Sequence, residues 1–438
     1  MALGGGNFVT QNKILPGTYI NFISAAAASA SLSDRGLAAL PIELDWGVDG
    51  AVFAVTAEEF QKDSMKYFGY TYAADELKGL RDLFQSITVG YFYKLMNIGV
   101  AASNTFAVAK YKGTRGNDIT TVITVNVDNA AMMDVETFLG TTLVDSQTVL
   151  PNTDNLLDTD FVTWKSNVVL TATAGLAMTL GSNGSPVTST EYQLALDAFE
   201  SYSFNTIGCL STESTIVDLM VAWTKRLRDE VGMKFQLICY QGEAADHEGI
   251  ISVENTVDDG GALASSLVYW LTGAEAGCQV NKSLTNAIYT GEFEVVTAYT
   301  QTALAAAIQA GKLMFHKVGE DVRILEDINT FITVTDGKSG DFSSNQTIRV
   351  LDQIANDIAT LFNTKYLGQI PNDADGRISL WNDIVKHHQA LQGIRAIQDF
   401  DPADVVISAG DTKKSVVVSD VVEPVNAMAQ LYMTVVVN

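Results

Sequence analysis

Cysteine and positive charge are both scarce in this chain of 438 residues. The three cysteines, Cys209, Cys239 and Cys278, are odd in number and lack metal-type spacing, so they fit reduced, buried thiols made in a cytosol. Basic residues number 27 against 51 acidic ones, and no Lys/Arg cluster interrupts the resulting net charge of −24. We expect no direct nucleic-acid binding, because neutralising phosphates needs a concentrated positive surface.

Long apolar runs are missing as well. None reaches the roughly 18 residues that predict a membrane-spanning helix. The first 33 residues contain one lysine, Lys13, and no charged region followed by an apolar segment, which a secretory signal would require. We therefore expect neither direct membrane insertion nor a secretory precursor. A content of 47 % apolar and 18 % charged residues indicates a folded protein. Its length favours about two to four domains.

The usual signatures of catalysis and cofactor binding are also lacking. Neither GxxxxGK[ST] nor GxGxxG occurs, so nucleotide binding has no support. The adjacent pair His387 and His388 lies on a predicted helix, where neighbours point about 100° apart and do not chelate one ion together. His388 shares the apolar face of that helix, which predicts a core histidine. We expect no catalytic residue, no cofactor and no bound metal.

One segment could nevertheless carry enzyme chemistry. Glu243, Asp246, His247 and Glu248 follow the predicted strand 235–240, and ligands of open α/β sheets bind at the carboxyl ends of strands. Carboxylates beside a histidine could form a metal or acid/base site. The simpler interpretation is a solvated polar loop, since no second constellation completes a nucleophile, base and oxyanion arrangement. We predict that the protein is not an enzyme and keep an α/β hydrolytic enzyme as the weaker alternative.

Hydrophobic periodicity predicts a multidomain fold of the α/β plus β class. Short β segments and turns over 98–184 predict an inserted β-sandwich-like domain. Residues 185–335 alternate helix and strand after a capping box at Thr188 and Glu191, which predicts a central α/β layer with a largely parallel sheet. Long helices followed by strands predict a helical/β C-terminal domain over 336–422. The other predicted parts are an N-terminal arm (1–19), an N-terminal part of the core (20–97) and a C-terminal arm (423–438).

Both chain ends are nearly free of charge and rich in strand formers. A strand at a free terminus exposes unpaired backbone groups, and the sequence after Pro424 lacks the Lys or Pro that usually blunts such an edge. Two interpretations remain open: an internal strand that completes the chain's own sheet, or a strand donated to a neighbouring subunit. The residues predicted for inter-subunit strand exchange are Phe8, Val9, Thr10, Gln11, Leu431, Tyr432, Met433, Thr434, Val435, Val436 and Val437.

Segments of the N-terminal third resemble one protein family. The sequence LPGTYINF at 15–22 is similar to the Pro-Gly-x-Tyr strand that opens contractile phage tail sheath proteins. SDRGLAALP at 33–41, followed by LDWG at 44–47, looks like the next element of that family. AKYKGTRGNDI at 109–119 resembles the Gly-x-x-Gly-Asn turn at the start of its inserted β domain. Together with the β insertion, the later α/β region and the helical then β C-terminal region, the order and spacing of these segments make a resemblance that covers essentially the whole chain. It looks closest to the sheaths of Gram-positive phages and of related defective-prophage or tail-like bacteriocin particles.

The resemblance implies a structural sheath subunit. Such a subunit polymerises as stacked hexameric rings around an inner tube and contracts to drive the tube through a target cell envelope, while its terminal arms exchange strands with adjacent subunits. The implied partners are further copies of the chain, the inner tail tube protein, and the baseplate and tail terminator proteins. The implied location is a virion or tail-like particle assembled in the bacterial host cytoplasm. A non-contractile self-assembling structural protein is the alternative.

Overall fold

The computed structural model describes residues 32–242 and 245–437. The strand-exchange residues Phe8, Val9, Thr10 and Gln11 and the loop residue Glu243 lie outside the described residues. The chain divides into two compact units. Of the described residues, the smaller unit contains 32–33 and 353–425, and the larger unit contains 34–242, 245–352 and 426–437.

A seven-stranded sheet is the centre of the larger unit. Its strands are β1 (Leu37–Glu43), β2 (Val52–Thr56), β3 (Val89–Leu95), β10 (Thr206–Cys209), β11 (Gln236–Tyr240), β12 (Ile250–Val253) and β13 (Lys312–Leu313). They lie in the order β13-β12-β11-β10-β1-β3-β2. Every neighbouring pair is parallel except β2 with β3. The predicted α/β layer with a largely parallel sheet is confirmed.

Strand β1 lies inside this sheet and is buried on both faces. Ala38, Leu40 and Ile42 belong to the hydrophobic core on one side, and Ala39 belongs to the core on the other. Strands of parallel sheets are covered on both faces, so their sequences are nearly continuous apolar runs. Each fully buried Leu or Ile side chain stabilises the fold by about 1.5–3 kcal/mol.

Helices on the two faces of the sheet complete the two cores. The helices of the larger unit are α1 (Ala57–Phe68), α2 (Lys78–Phe84), α3 (Ser189–Phe199), α4 (Ser214–Arg226), α5 (Leu267–Gly277) and α6 (Gln301–Gln309). Leu80 of α2 and Leu271 of α5 pack into the core that contains Leu40, whereas Leu196 of α3 and Met220 of α4 pack into the other. Within 32–242 and 245–437, no helix is both long and apolar enough to span a bilayer.

The β insertion has its own core. Its strands are β4 (Ala107–Ala109), β5 (Ile119–Val125), β6 (Met133–Leu139), β7 (Thr142–Val149), β8 (Val162–Trp164) and β9 (Thr173–Ala177). Four of them form an antiparallel sheet in the order β7-β6-β5-β9, and β4 pairs with β8. Ile123, Val135 and Trp164 meet in one buried cluster. Residues on both layers thus share a core, as the predicted β-sandwich-like fold requires.

The remaining elements follow the central sheet along the chain. They are β14 (Phe315–Val318), β15 (Asp321–Ile324), α7 (Asn345–Leu361), α8 (Ala374–Gly393), β16 (Ile397–Gln398), β17 (Val406–Ala409), β18 (Val416–Ser419) and β19 (Glu423–Pro424). In the smaller unit, β17 pairs with β18 and β16 with β19, both antiparallel. The Trp381 indole on α8 donates to the Val405 carbonyl at 2.9 Å, which joins the helix to the segment before β17. The predicted helical/β C-terminal region is confirmed.

Candidate functional site

The part of the C-terminal arm that belongs to the larger unit is attached to that unit through Asn426 and Ala427. The Asn426 side chain accepts a hydrogen bond from the Thr347 hydroxyl at 3.2 Å, and the Ala427 amide donates to the Gln346 side-chain oxygen at 2.9 Å. Thr347 and Gln346 lie in the first turn of α7. These polar contacts fix the point from which the last residues leave the fold.

Beyond this attachment lies the exposed end, which we define as residues 428–437. It contains neither helix nor strand, and no backbone hydrogen bond joins it to the described part of the chain. Among the described residues, Leu431–Val437 therefore joins none of the chain's own sheets. A strand needs a ladder partner, and within the described residues none lies alongside this segment.

The exposed end is apolar although it faces solvent. Its large apolar side chains are Met428, Leu431, Tyr432, Met433, Val435, Val436 and Val437, each between 69 % and 102 % exposed. Contiguous exposed apolar surface is a mark of an interaction site. Val and Tyr also favour strands. The exposed end therefore combines apolar side chains that can be buried with backbone groups that can pair.

The described part of the predicted polar loop does lie at the carboxyl end of β11, but its carboxylates Asp246 and Glu248 have structural partners. The Asp246 carboxylate accepts hydrogen bonds from the amides of Ile332 and Thr333 at 2.8 and 3.1 Å. Backbone donation from Ile332 is the main reason why the pKa of Asp246 is lowered. The Glu248 carboxylate accepts a hydrogen bond from the Lys338 ammonium at 2.7 Å. Neither acid is held toward a common reaction centre.

His247 has a partner, Asp229, that was not predicted from the sequence. Asp229, His247 and Glu248 place ligand-type atoms close together. However, Nδ1 of His247 accepts a hydrogen bond from the Gly249 amide at 3.0 Å. A neutral ring then has its hydrogen on Nε2, which faces the Asp229 carboxylate at 3.1 Å. Metal ligation through Nε2 would need a lone pair there, so the geometry favours a structural hydrogen-bond cluster over a metal site.

The helical histidine pair lies in the smaller unit. The prediction that His388 is a core histidine is confirmed, and His387 is equally buried. Their Nδ1 atoms lie 3.2 Å apart. Nε2 of His387 lies 2.9 Å from the Asp357 carboxylate, and Nε2 of His388 lies 2.6 Å from that of Asp420. Neither acid was predicted as a partner, because Asp357 is 30 residues from His387 along the chain and Asp420 is 32 residues from His388.

Three family models cover most of the chain. The phage tail sheath protein β-sandwich domain matches residues 95–183, the central domain matches 185–330, and the C-terminal domain matches 338–438. The phage-like element PBSX protein XkdK of Bacillus subtilis is 31 % identical, with 100 % of both chains covered. The tail sheath protein of a Clostridium phage is 27 % identical over 42 % of this chain and 51 % of its own.

Solved structures agree with these sequence matches. The sheath tail protein of Desulfitobacterium hafniense is 34 % identical with a TM-score of 0.81, over 94 % of this chain and 97 % of its own. That of Listeria innocua is 28 % identical with a TM-score of 0.78, over 92 % and 95 %. The contracted helical sheath of the anti-feeding prophage, at 10 % identity and a TM-score of 0.55 over 96 % and 99 %, shares the fold. The chain therefore belongs to the phage tail sheath protein family and is a structural sheath subunit of a phage tail or tail-like particle, not an enzyme.

Proposed function

We propose that this sheath subunit polymerises as stacked hexameric rings around an inner tube and contracts to drive the tube through a target cell envelope. The observation that carries the proposal is the exposed end of the C-terminal arm, residues 428–437. It is apolar, uncharged and without a strand partner within the described residues. Addition to the edge of a neighbour's sheet would satisfy its backbone and cover its side chains.

Strand donation by the exposed end is energetically favourable only when the acceptor subunit is already held nearby. Fixing the backbone of one residue costs about 1–2 kcal/mol. Burying one large apolar side chain contributes about 1.5–3 kcal/mol. For Leu431 to Val437 these terms are of similar size, so strand donation becomes favourable when other contacts already raise the effective concentration of the acceptor. A ring of subunits supplies such contacts.

Strand exchange through the arms would also let the bodies move without separating the subunits. We propose that Leu431, Tyr432, Met433, Thr434, Val435, Val436 and Val437 pair with one neighbour, and that Phe8, Val9, Thr10 and Gln11 pair with another. Arms of this kind maintain the connections while the globular bodies exchange one packing for another. Contraction then derives its work from differences in packing energy summed over many subunits.

The remaining parts of the proposal concern partners, location and domain limits. The partners are further copies of the chain, the inner tail tube protein, and the baseplate and tail terminator proteins. Assembly takes place in the bacterial host cytoplasm. We propose arms at 1–19 and 423–438 and bodies at 20–97, 98–184, 185–335 and 336–422. The family ranges 95–183, 185–330 and 338–438 support the inner limits.

Electron microscopy of particles with and without the exposed end tests the proposal. The full-length chain is expected to form tubes in two states that differ in length and diameter. A chain that lacks Leu431 to Asn438 is expected to unfold at the same temperature as the full-length monomer and to form no tubes. Tubes of a single fixed length would instead favour the non-contractile structural protein. Loss of folding in the truncated chain would mean that the segment belongs to its own body.

A further inference from the structure

A continuous hydrogen-bonded chain crosses the smaller unit through four buried or half-buried side chains. It runs from Asp357 to His387, from His387 to His388, and from His388 to Asp420, with distances of 2.9, 3.2 and 2.6 Å. Asp357 lies on α7, the histidines lie on α8, and Asp420 directly follows β18. At one end, the Ser33 hydroxyl donates to Asp357 at 2.5 Å.

The hydrogen-bond acceptors in this series of side chains determine how many hydrogens the His387 and His388 rings carry. Besides the Ser33 hydroxyl, the Asp357 carboxylate accepts hydrogen bonds from the Gln353 side chain at 2.8 Å and from the Ser33 amide at 3.3 Å. Burial would raise the pKa of Asp357, but hydrogen bonds from His387, Ser33 and Gln353 lower it below its usual value. Asp357 is therefore an acceptor, and Nε2 of His387 donates to it. Nε2 of His388 likewise faces a carboxylate oxygen, of Asp420.

The contact between the two Nδ1 atoms then requires one further hydrogen. If both Nδ1 atoms lacked hydrogen, two lone pairs would face each other at 3.2 Å. If both carried hydrogen, two N–H groups would point at each other over that distance. Only three hydrogens on the four ring nitrogens make every contact attractive, with one ring an imidazolium and the other neutral.

Among the described residues, the strands β16 and β17 that pack against α8 have the sequences IQ and VISA and carry no titratable side chain. Glu423 on β19, which pairs with β16, accepts a hydrogen bond from the Gln398 side chain at 2.6 Å. The Phe400 ring lies 5.1 Å from the His388 ring, centre to centre. One turn earlier on α8, Asp383 is paired with Lys365 at 2.5 Å. Among the described residues, the charged groups that contact the two histidine rings through hydrogen bonds are thus Asp357 and Asp420.

We propose that His387 and His388 hold one shared proton, and that this proton is a latch that fastens Ser33 and the root of the C-terminal arm to α7 and α8. Ser33 lies near the start of the described residues, and Asp420 stands just before the C-terminal arm. The latch rests on the proposed function, because it regulates an arm through which subunits exchange strands. Loss of the third hydrogen or gain of a fourth replaces the Nδ1–Nδ1 bond with a repulsive contact and loosens both attachments.

Hydrogen exchange of the full-length chain tests the latch. After correction for the intrinsic rate, amide exchange in residues 414–425 is expected to be slowest at an intermediate pH and about tenfold faster on either side, between about pH 5 and about pH 9. H388Q keeps a side chain that can donate to Asp420 but cannot titrate, so its profile should be flat. H316Q changes a histidine on β14, in the other unit, and should keep the wild-type profile.

Nitrogen-15 spectra of histidine-labelled wild-type protein provide a second measurement that does not depend on a variant folding. Three protonated ring nitrogens in the pair at intermediate pH are expected. A flat or one-sided exchange profile in the wild type, an unchanged profile in H388Q, or two rings that titrate independently would each overturn the latch. These readouts do not require polymers. Protein that assembles and contracts without the two-sided profile refutes only the latch, and protein that shows the profile but forms no tubes refutes only the proposed function.

Discussion

Arg349 donates a hydrogen bond from Nη2 to a carboxylate oxygen of Glu275 at 2.6 Å, with both side chains fully buried. The same nitrogen lies 3.3 Å from the carboxylate of Asp327. Burial, followed by the charge of Asp327, raises the pKa of Glu275 to about 8. Glu275 therefore holds a proton at neutral pH, and the charge of Arg349 balances that of Asp327, whose pKa is lowered despite burial because of Arg349.

Replacing Arg349 with methionine is expected to destabilise the protein by about 3–5 kcal/mol, because it leaves a buried negative charge without its partner. Chemical denaturation of the monomeric full-length chain measures the loss. The control is R323M on β15, where Arg323 pairs with the half-exposed Asp321 and the expected loss is at most about 1 kcal/mol. Equal losses in the two variants would contradict the role given to burial.

His247 should make stability depend on pH. Burial lowers the pKa of His247 despite the nearby Glu248 and Asp229, so the folded protein resists a proton that the unfolded chain accepts below about pH 6.5. Stability is then expected to fall as the pH drops from about 6.5 towards the lower folded value. The variant H247N keeps an acceptor for the Gly249 amide without a titrating ring.

The comparison is the difference in unfolding free energy between about pH 7.5 and about pH 5.5, measured for wild type and H247N. A smaller loss at the acidic pH is expected in the variant. Identical losses in both proteins would show that His247 does not contribute to the pH dependence. Addition of zinc or a chelator should leave both proteins unchanged, because Nε2 has no free lone pair in the tautomer that these hydrogen bonds assign.

The capping box of α3 gives a local stability prediction. The Glu191 carboxylate accepts from the Thr188 amide at 2.8 Å, and the Thr188 hydroxyl accepts from the Thr190 amide at 3.3 Å. T188A removes the hydroxyl acceptor at the helix start and is expected to cost about 1 kcal/mol. Thermal unfolding with S189A as the matched control checks this, since Ser189 is exposed in the next position. A control loss as large as that of T188A would contradict the capping role.

A proline scan tests the backbone pairing proposed for the exposed end. Successive residues of a strand point their amides to opposite sides, and proline has no amide hydrogen to donate. If the segment adds to one edge, either T434P or V435P should abolish tube formation while the other is tolerated. If it is inserted between two strands, both should fail. Electron microscopy and monomer unfolding temperature are the measurements.

The alanine variants T434A and V435A are the controls for that scan. Thr434 lies among exposed residues, and Val435 is 69 % exposed, so neither proline nor alanine should change the stability of the monomer. Tubes formed by both proline variants would refute backbone pairing at these residues. Failure of the alanine variants as well would indicate that side-chain packing, not the amide, decides assembly.

Some of the fold could be predicted because its causes are local. Alternating helical and strand periods predicted the α/β layer, and the spacing of Thr188 and Glu191 predicted the start of α3. In strand β6, Asp134 and Glu136 alternate with apolar residues, so the sequence shows the strand period but not its partners. In the structure its inward residues Met133 and Val135 reach the core of the insertion, and the cross-strand pairing with β5 and β7 makes it a strand.

The composition of residues 431–437 by itself determined that the chain ends in an uncharged strand former. Only the tertiary structure could decide whether that segment has a strand partner, because a β-ladder can join segments that are distant along the chain. Only the fold placed the segment outside the chain's own sheets. Only the fold, likewise, placed Asp357 and Asp420 against the histidine pair and Asp229 against His247. Periodicity depends on residues that are neighbours along the chain, so it can be predicted from the sequence. Hydrogen-bond partners depend on how distant elements pack, so only the tertiary structure determines them.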